Sequence, residues 1–145
     1  MTTPKPYPRP LPVLDPDSRP FWEGAKQRRL MLVRCPGCGR LRWPPRNFCN
    51  RCHTPGGEWV QVTGRGTLLT WTVQHHLLHP AWAAEVPYTV VLVGLEEDPE
   101  CRLIGNLRGA RPAGLRIGMP MDAVFEDVNA EVALVHWRPR VLSVR

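Results

Sequence analysis

Four cysteines carry the clearest chemical signal in this 145-residue chain: Cys35-x-x-Cys38 and Cys49-x-x-Cys52, with ten residues between the pairs. A C-x-x-C turn brings two sulfurs to one side of a tight loop, and Gly39 permits the backbone turn behind the second sulfur. Two such knuckles offer four thiolates, a set that zinc binds as a tetrahedron. Rubredoxin-type iron accepts the same set, so the spacing alone leaves the two metals open. Four protein ligands close the coordination shell and leave no position for water, which makes the metal structural. His53, directly after Cys52, reads as a surface residue or as a hydrogen-bond donor behind the ligands. Cys101 lies far from the knuckles and reads as a small core residue, not a nucleophile.

The other chemistry-bearing residues are less organised. His75, His76 and His79 form a cluster, but neighbours on a strand point to opposite faces, and no carboxylate stands at a fixed spacing beside them. They read as polar strand-end residues. Gly-x-Ser-x-Gly, phosphate-loop and dinucleotide fingerprints are missing from the sequence, which argues against an enzyme in its own right. The formal net charge is +6. Four thiolates on a divalent ion carry −2, so the metal-loaded chain sits near +4 (6 − 2). Arg34, Arg40, Arg42, Arg46 and Arg51 lie in or beside the cysteine segment, where their charge offsets the metal–thiolate charge. Trp71 and Tyr88 could serve as base-stacking platforms of a single-strand-binding module. Both belong to apolar strands and read more simply as core.

The elements that must position these residues follow from the rest of the pattern. Prolines at 4, 6, 8, 10, 12, 16 and 20 forbid a sheet interior and imply an extended arm. Asp17-Ser18 before Pro20 predicts a helix start, with a short helix to about residue 29 that places Phe21, Trp22 and Ala25 on one side. Gly24 weakens that helix. Leu41 to Phe48 is long enough for a hairpin that joins the two knuckles. Strands are predicted at Leu68–Leu78, Tyr88–Leu95, Leu103–Leu107, Met121–Phe125 and Val132–Trp137. Glu96 to Pro99 reads as a hairpin turn, Gly64-Arg65-Gly66 as a bend or bulge, and Arg108 to Gly118 as a long connection. Five strands in about 80 residues suggest a small closed β-barrel, although a sandwich or SH3-like barrel gives a similar pattern. No run reaches the ~18–20 apolar residues of a membrane span, and the N-terminus lacks a signal-peptide core. The expectation is a cytoplasmic protein with reduced thiols.

Several short motifs recur here in a recognisable order: Pro20 to Gly24 (PFWEG), Leu30 to Gly39 (LMLVRCPGCG), Pro44-Pro45-Arg46 and the second knuckle. Gly64 to Leu68 (GRGTL), Trp71-Thr72-Val73, Val86-Pro87-Tyr88, Leu103 to Leu107 (LIGNL) and Ile117 to Met121 (IGMPM) follow. This resembles the acyl-CoA-associated zinc-ribbon plus OB-fold proteins of domain-of-unknown-function family 35, from about residue 13 to about residue 140. The resemblance implies a mainly β fold: a proline-rich arm and short helix (1–29), a rubredoxin-like zinc ribbon (30–57) and a C-terminal OB-fold barrel (58–145). It implies structural zinc on Cys35, Cys38, Cys49 and Cys52. It also implies a non-catalytic subunit that binds a thiolase-like or lipid-transfer-type aldolase enzyme, or a hydratase, acting on acyl-CoA. Phe21, Trp22, Arg65, His75 and Arg108 are the expected contacts to partner or CoA. The alternative is a single-stranded nucleic-acid-binding OB module; nucleic acid and membrane are not the expected partners.

Overall fold

The computed structural model describes residues 7–141; Pro4 and Pro6 of the predicted arm lie outside the described residues. The remaining arm runs extended, as its prolines require. It follows its own chain: the Arg9 guanidinium stacks 4.0 Å over the Trp82 ring, donates to Ala81 O at 3.2 Å and pairs with Glu85. Asp15 then accepts from the Ser18 backbone N–H at 2.7 Å and its hydroxyl at 2.9 Å, turning the chain into α1 (Arg19–Lys26). Pro20 occupies the first turn, where its missing N–H costs nothing. The helix stops short of the expected residue 29. Arg28 adopts a φ of 63°, and the Arg29 N–H returns to Gly24 O at 2.8 Å. Gly24 makes that return possible, because a Cβ there would lie 2.4 Å from Met31 Cγ. Phe21, Gly24 and Ala25 form the buried stripe, spaced as one helix face requires.

After α1 come β1 (Leu30–Arg34), β2 (Leu41–Arg42) and β3 (Glu58–Val62), an antiparallel sheet in the order β2-β1-β3. The chain then enters β4 (Arg65–Gln74), β5 (Tyr88–Leu95), β6 (Arg102–Asn106), β7 (Pro120–Asp127) and β8 (Ala133–Pro139). These make one antiparallel sheet, ordered β6-β5-β4-β7-β8. The five strands stand within a few residues of their predicted places. The chain bends at Gly64, with φ 72°, as residues 64–66 led one to expect. A bulge lies further on: the register slips between Leu68 and Thr70, and the inward positions change from Gly66 and Leu68 to Leu69, Trp71 and Val73. Gly66 serves close approach: a Cβ there would lie 2.4 Å from Gly94 O.

The barrel is not closed by a continuous ladder, contrary to the sequence expectation. Its edge strands meet at one parallel bridge, Leu107 to Trp137, where the Arg108 N–H also donates to Trp137 O at 2.8 Å. Beside the bridge the Trp137 indole packs on Gly105, so side-chain packing replaces strand pairing at the seam. A single apolar core runs through both sheets and the helix, from Phe21, Leu32 and Leu41 to Leu68, Val93, Leu103, Met121 and Trp137. That shared core fixes the small sheet against the large one.

Candidate metal centre

Each knuckle sits at the tip of its own hairpin, not at the two ends of the hairpin expected over residues 41–48. β1 and β2 flank the first, with the Cys35 N–H donating to Arg40 O at 2.9 Å. A bridge from Phe48 to Pro55 flanks the second, with the Cys49 N–H donating to Thr54 O at 2.9 Å. Two residues of β2 suffice because β1 holds them in register. The two loops repeat one backbone pattern. Gly39 follows Cys38 with φ 74°, and His53 follows Cys52 with φ 60°. His53 thus performs, at some steric cost, the turn that Gly39 performs freely. Its position after a C-x-x-C was the signal for that role.

The sulfurs converge. Cys35 Sγ and Cys52 Sγ are 3.5 Å apart, Cys38 Sγ and Cys49 Sγ 3.7 Å, and all four lie within 4.8 Å of one another. A tetrahedron with bonds of about 2.3 Å has edges of about 3.8 Å, so the set is positioned to bind a zinc ion. Cys35 and Cys49 are buried, while Cys38 and Cys52 face outward. Backbone N–H groups aim at the sulfurs: Gly37 at Cys35 and Arg51 at Cys49, both at 3.4 Å. The Cys52 and Arg51 amides hold the Cys49 thiol down at about 6. The Arg40 amide pulls Cys38 the same way, yet desolvation and the neighbouring sulfurs outweigh it and push that thiol up to about 11. Bringing all four sulfurs to the thiolate form therefore takes a cation, and loading it releases protons.

Two of the basic residues around the knuckles, Arg40 and Arg51, are answered by carboxylates of the β5–β6 turn. Arg40 Nε lies 3.2 Å from Asp98 Oδ2, Arg51 Nη1 lies 2.8 Å from Glu100 Oε2, and Arg40 pairs with Glu100 as well. Arg42 is buried and directs Nη2 to the Arg46 and Gly56 carbonyls, tying the Pro44-Pro45 loop to the chain before β3.

The remaining expected residues do not assemble into one site. Phe21 is buried and stacked on Trp43, whereas Trp22 is half-buried and meets both rings edge-on. Arg65 and His75 are exposed near opposite ends of β4. Arg108 is bound within its own chain, 3.0 Å from Glu126 Oε2 and 3.8 Å from Glu85. Glu126 also accepts from His136 Nε2 at 2.7 Å, while the Asn106 N–H faces His136 Nδ1 at 3.4 Å. Both ring nitrogens are thus engaged, and burial followed by Arg108 holds the imidazole below its ordinary value. The Cys101 thiol is pushed up to about 12 by burial, as a core cysteine should be. Tyr88 stacks on Trp82 with centroids 4.6 Å apart, and the partly buried Trp71 packs against the core, so both rings are engaged within the chain. Among the described residues no helix is long and apolar enough to cross a membrane.

Comparison with known proteins agrees with this architecture. Residues 22–56 match the family model of the ChsH2 rubredoxin-like zinc ribbon domain, and residues 59–126 that of the ChsH2 C-terminal OB-fold domain. The chain is 39% identical over 133 residues to a probable enoyl-CoA hydratase alpha subunit of Thermomonospora curvata, covering 92% of this chain and 40% of that one. It is 36% identical over 136 residues to the 3-oxo-4,17-pregnadiene-20-carboxyl-CoA hydratase alpha subunit of Mycobacterium tuberculosis, covering 87% and 42%. It thus spans well under half the length of these two subunits. A DUF35 domain-containing scaffold protein of Pyrococcus furiosus is 30% identical over 112 residues, covering 75% of this chain and 78% of that one. Among solved structures, a chain of the Ltp2-ChsH2(DUF35) aldolase superposes with a TM-score of 0.78 at 38% identity, covering 90% of this chain and all of that one. With both of its domains matched in order and a scaffold relative aligned over most of its length, the chain belongs to the DUF35 family.

Proposed function

We propose that the chain is a non-catalytic accessory subunit. It binds a thiolase-fold enzyme (a thiolase or a lipid-transfer-type aldolase) or a hydratase acting on acyl-CoA thioesters, in steroid or lipid side-chain breakdown. It supports that enzyme's activity or the passage of its substrate. The observation that carries this reading is the likeness, over the full length of that chain, to a component of the Ltp2-ChsH2(DUF35) aldolase. The chemistry of the described residues supports it. The four knuckle sulfurs would form a closed set on zinc, His136 has both nitrogens bonded, and the Cys101 thiol stays protonated. In this reading residues 1–29 form the docking arm and helix, 30–57 the ribbon and 58–145 the OB domain.

The docking surface includes Trp22, which lines an open cleft of about 260 Å³ with Trp43, Trp82, Ile104 and Leu134. Ile104 is 71% exposed there, an apolar side chain free to meet a partner. Arg65, His75 and the part-exposed Arg108 are the polar contacts on the OB side; the buried Phe21 supports the cleft from beneath. The test is co-expression with a thiolase-like or hydratase protein of the native host, with and without residues 1–14, a cut that leaves the Asp15 turn, α1 and the Phe21–Trp43 stack in place. The full-length pair should co-elute and turn over acyl-CoA, and the shortened chain should keep its metal but bind less well. An enzyme equally soluble and equally active alone would overturn the reading.

A further inference from the structure

The zinc knuckles belong to the ribbon, yet their outer face is held by the OB domain. Asp98, in the β5–β6 turn, has a side chain only 8% exposed. Its Oδ2 accepts the Leu41 backbone N–H at 3.0 Å in a buried bond and faces Arg40 Nε at 3.2 Å. Its Oδ1 accepts the Glu100 N–H at 3.3 Å, which fixes the turn itself. Arg40 and Leu41 are the residues through which the first knuckle returns to β2. Glu100, two residues on, reaches the second knuckle through Arg51, which lies between Cys49 and Cys52. One turn of the large sheet thus grips both cysteine loops of the small one.

We propose that Asp98 is a positioning residue for the metal centre, with Glu100 as its weaker companion: together they fix the separation of the knuckles and slow the loss of zinc. This rests on zinc occupying the four cysteines. The buried Asp98 bonds carry most of the effect, because a charged acceptor shielded from water makes a strong hydrogen bond. The Glu100 pairs are exposed and screened. Residues that orient metal ligands from outside typically alter affinity by about 10–100-fold.

The experiment uses full-length, zinc-loaded protein whose metal content is measured first. Zinc transfer to a chromophoric chelator is followed in wild type, Asp98→Ala, Asp98→Asn and Glu100→Gln. Asp98→Ala should release zinc about tenfold faster or more. Asp98→Asn retains an oxygen for the Leu41 N–H and should recover part of the retention, and Glu100→Gln should change the rate by less than Asp98→Asn does. The cobalt-loaded variants should keep the wild-type tetrathiolate spectrum, since the ligands are untouched. Leu107→Ala, a core truncation at the far end of β6, controls for lowered overall stability and should leave zinc release near the wild-type rate. Wild-type release from Asp98→Ala, or equal acceleration by Leu107→Ala, would overturn the proposal. Wild type purified without stoichiometric zinc would overturn the metal centre, and this inference with it.

Discussion

The Phe21 ring lies almost parallel to that of Trp43, with centroids 3.8 Å apart and planes 21° apart. Phe21 comes from α1 and Trp43 from the loop between the knuckles, so the pair joins the helix to the metal-binding half of the chain. Phe21→Ala should destabilise the protein by about 3–5 kcal/mol, the usual cost of emptying a buried aromatic site. Trp22→Ala should cost less stability, because Trp22 is half-buried and meets Phe21 edge-on at 4.8 Å. Urea unfolding of the two variants checks the order.

Metal removal should have a local and a global consequence. Purified protein should contain one zinc per chain, and Cys38→Ser or Cys49→Ser should lose it and unfold the ribbon, since binding and folding are coupled at such sites. Elemental analysis and the proton release on reloading measure both. A red protein with a thiolate-to-iron absorption band would transfer the site to iron.

Stability should fall as the medium is acidified from pH 7 to 5. His136 has a folded value below its ordinary 6.5, through burial first and Arg108 second. Its contribution is therefore complete above 6.5 and lost as pH falls through the lowered value. Glu126 acts in the same direction further down. Burial alone would raise it, but hydrogen bonds from Arg108 and His136 bring it below its ordinary 4.5. His136→Gln, which keeps a donor toward Glu126, should flatten the upper part of the profile. Urea midpoints at a series of pH values test this, and an unchanged slope in the variant would remove His136 as its source.

Binding to single-stranded oligonucleotides should be weak and vanish at moderate salt, as expected of basic charge with the Trp71 and Tyr88 rings engaged within the chain. Titrations at two ionic strengths decide it. A tight, salt-resistant complex lost in a folded Trp71→Ala variant would reinstate the nucleic-acid reading.

The strand positions of the large sheet and the metal chemistry were legible because each rests on local signals. The apolar run from Tyr88 to Leu95 becomes β5 residue for residue, and the two C-x-x-C pairs converge. What was not legible depends on contacts distant in sequence. The register slip at Leu68–Thr70 exists only in the pairing of β4 with β5, and Met31 folds over Gly24 where α1 ends. β3 was missed although Trp59 to Val62 is apolar enough for a strand, because its partner β1 lies across the whole cysteine segment. The path of the arm depends on Arg9 finding Trp82 and Glu85, more than seventy residues away.

The meeting of β6 and β8 at Leu107 and Trp137 gives the large sheet a line of weakness. Elsewhere each strand is zipped to a neighbour by several consecutive pairs, whereas this joint has one bridge, the Arg108 amide and the Asn106 N–H facing His136 Nδ1. Native-state hydrogen exchange should therefore start here, with the Arg108 amide, which donates across the joint to Trp137 O, losing protection before those in the middle of β5. A partner that lies across this joint would act as a splint, slowing exchange far more at the seam than anywhere else on the sheet.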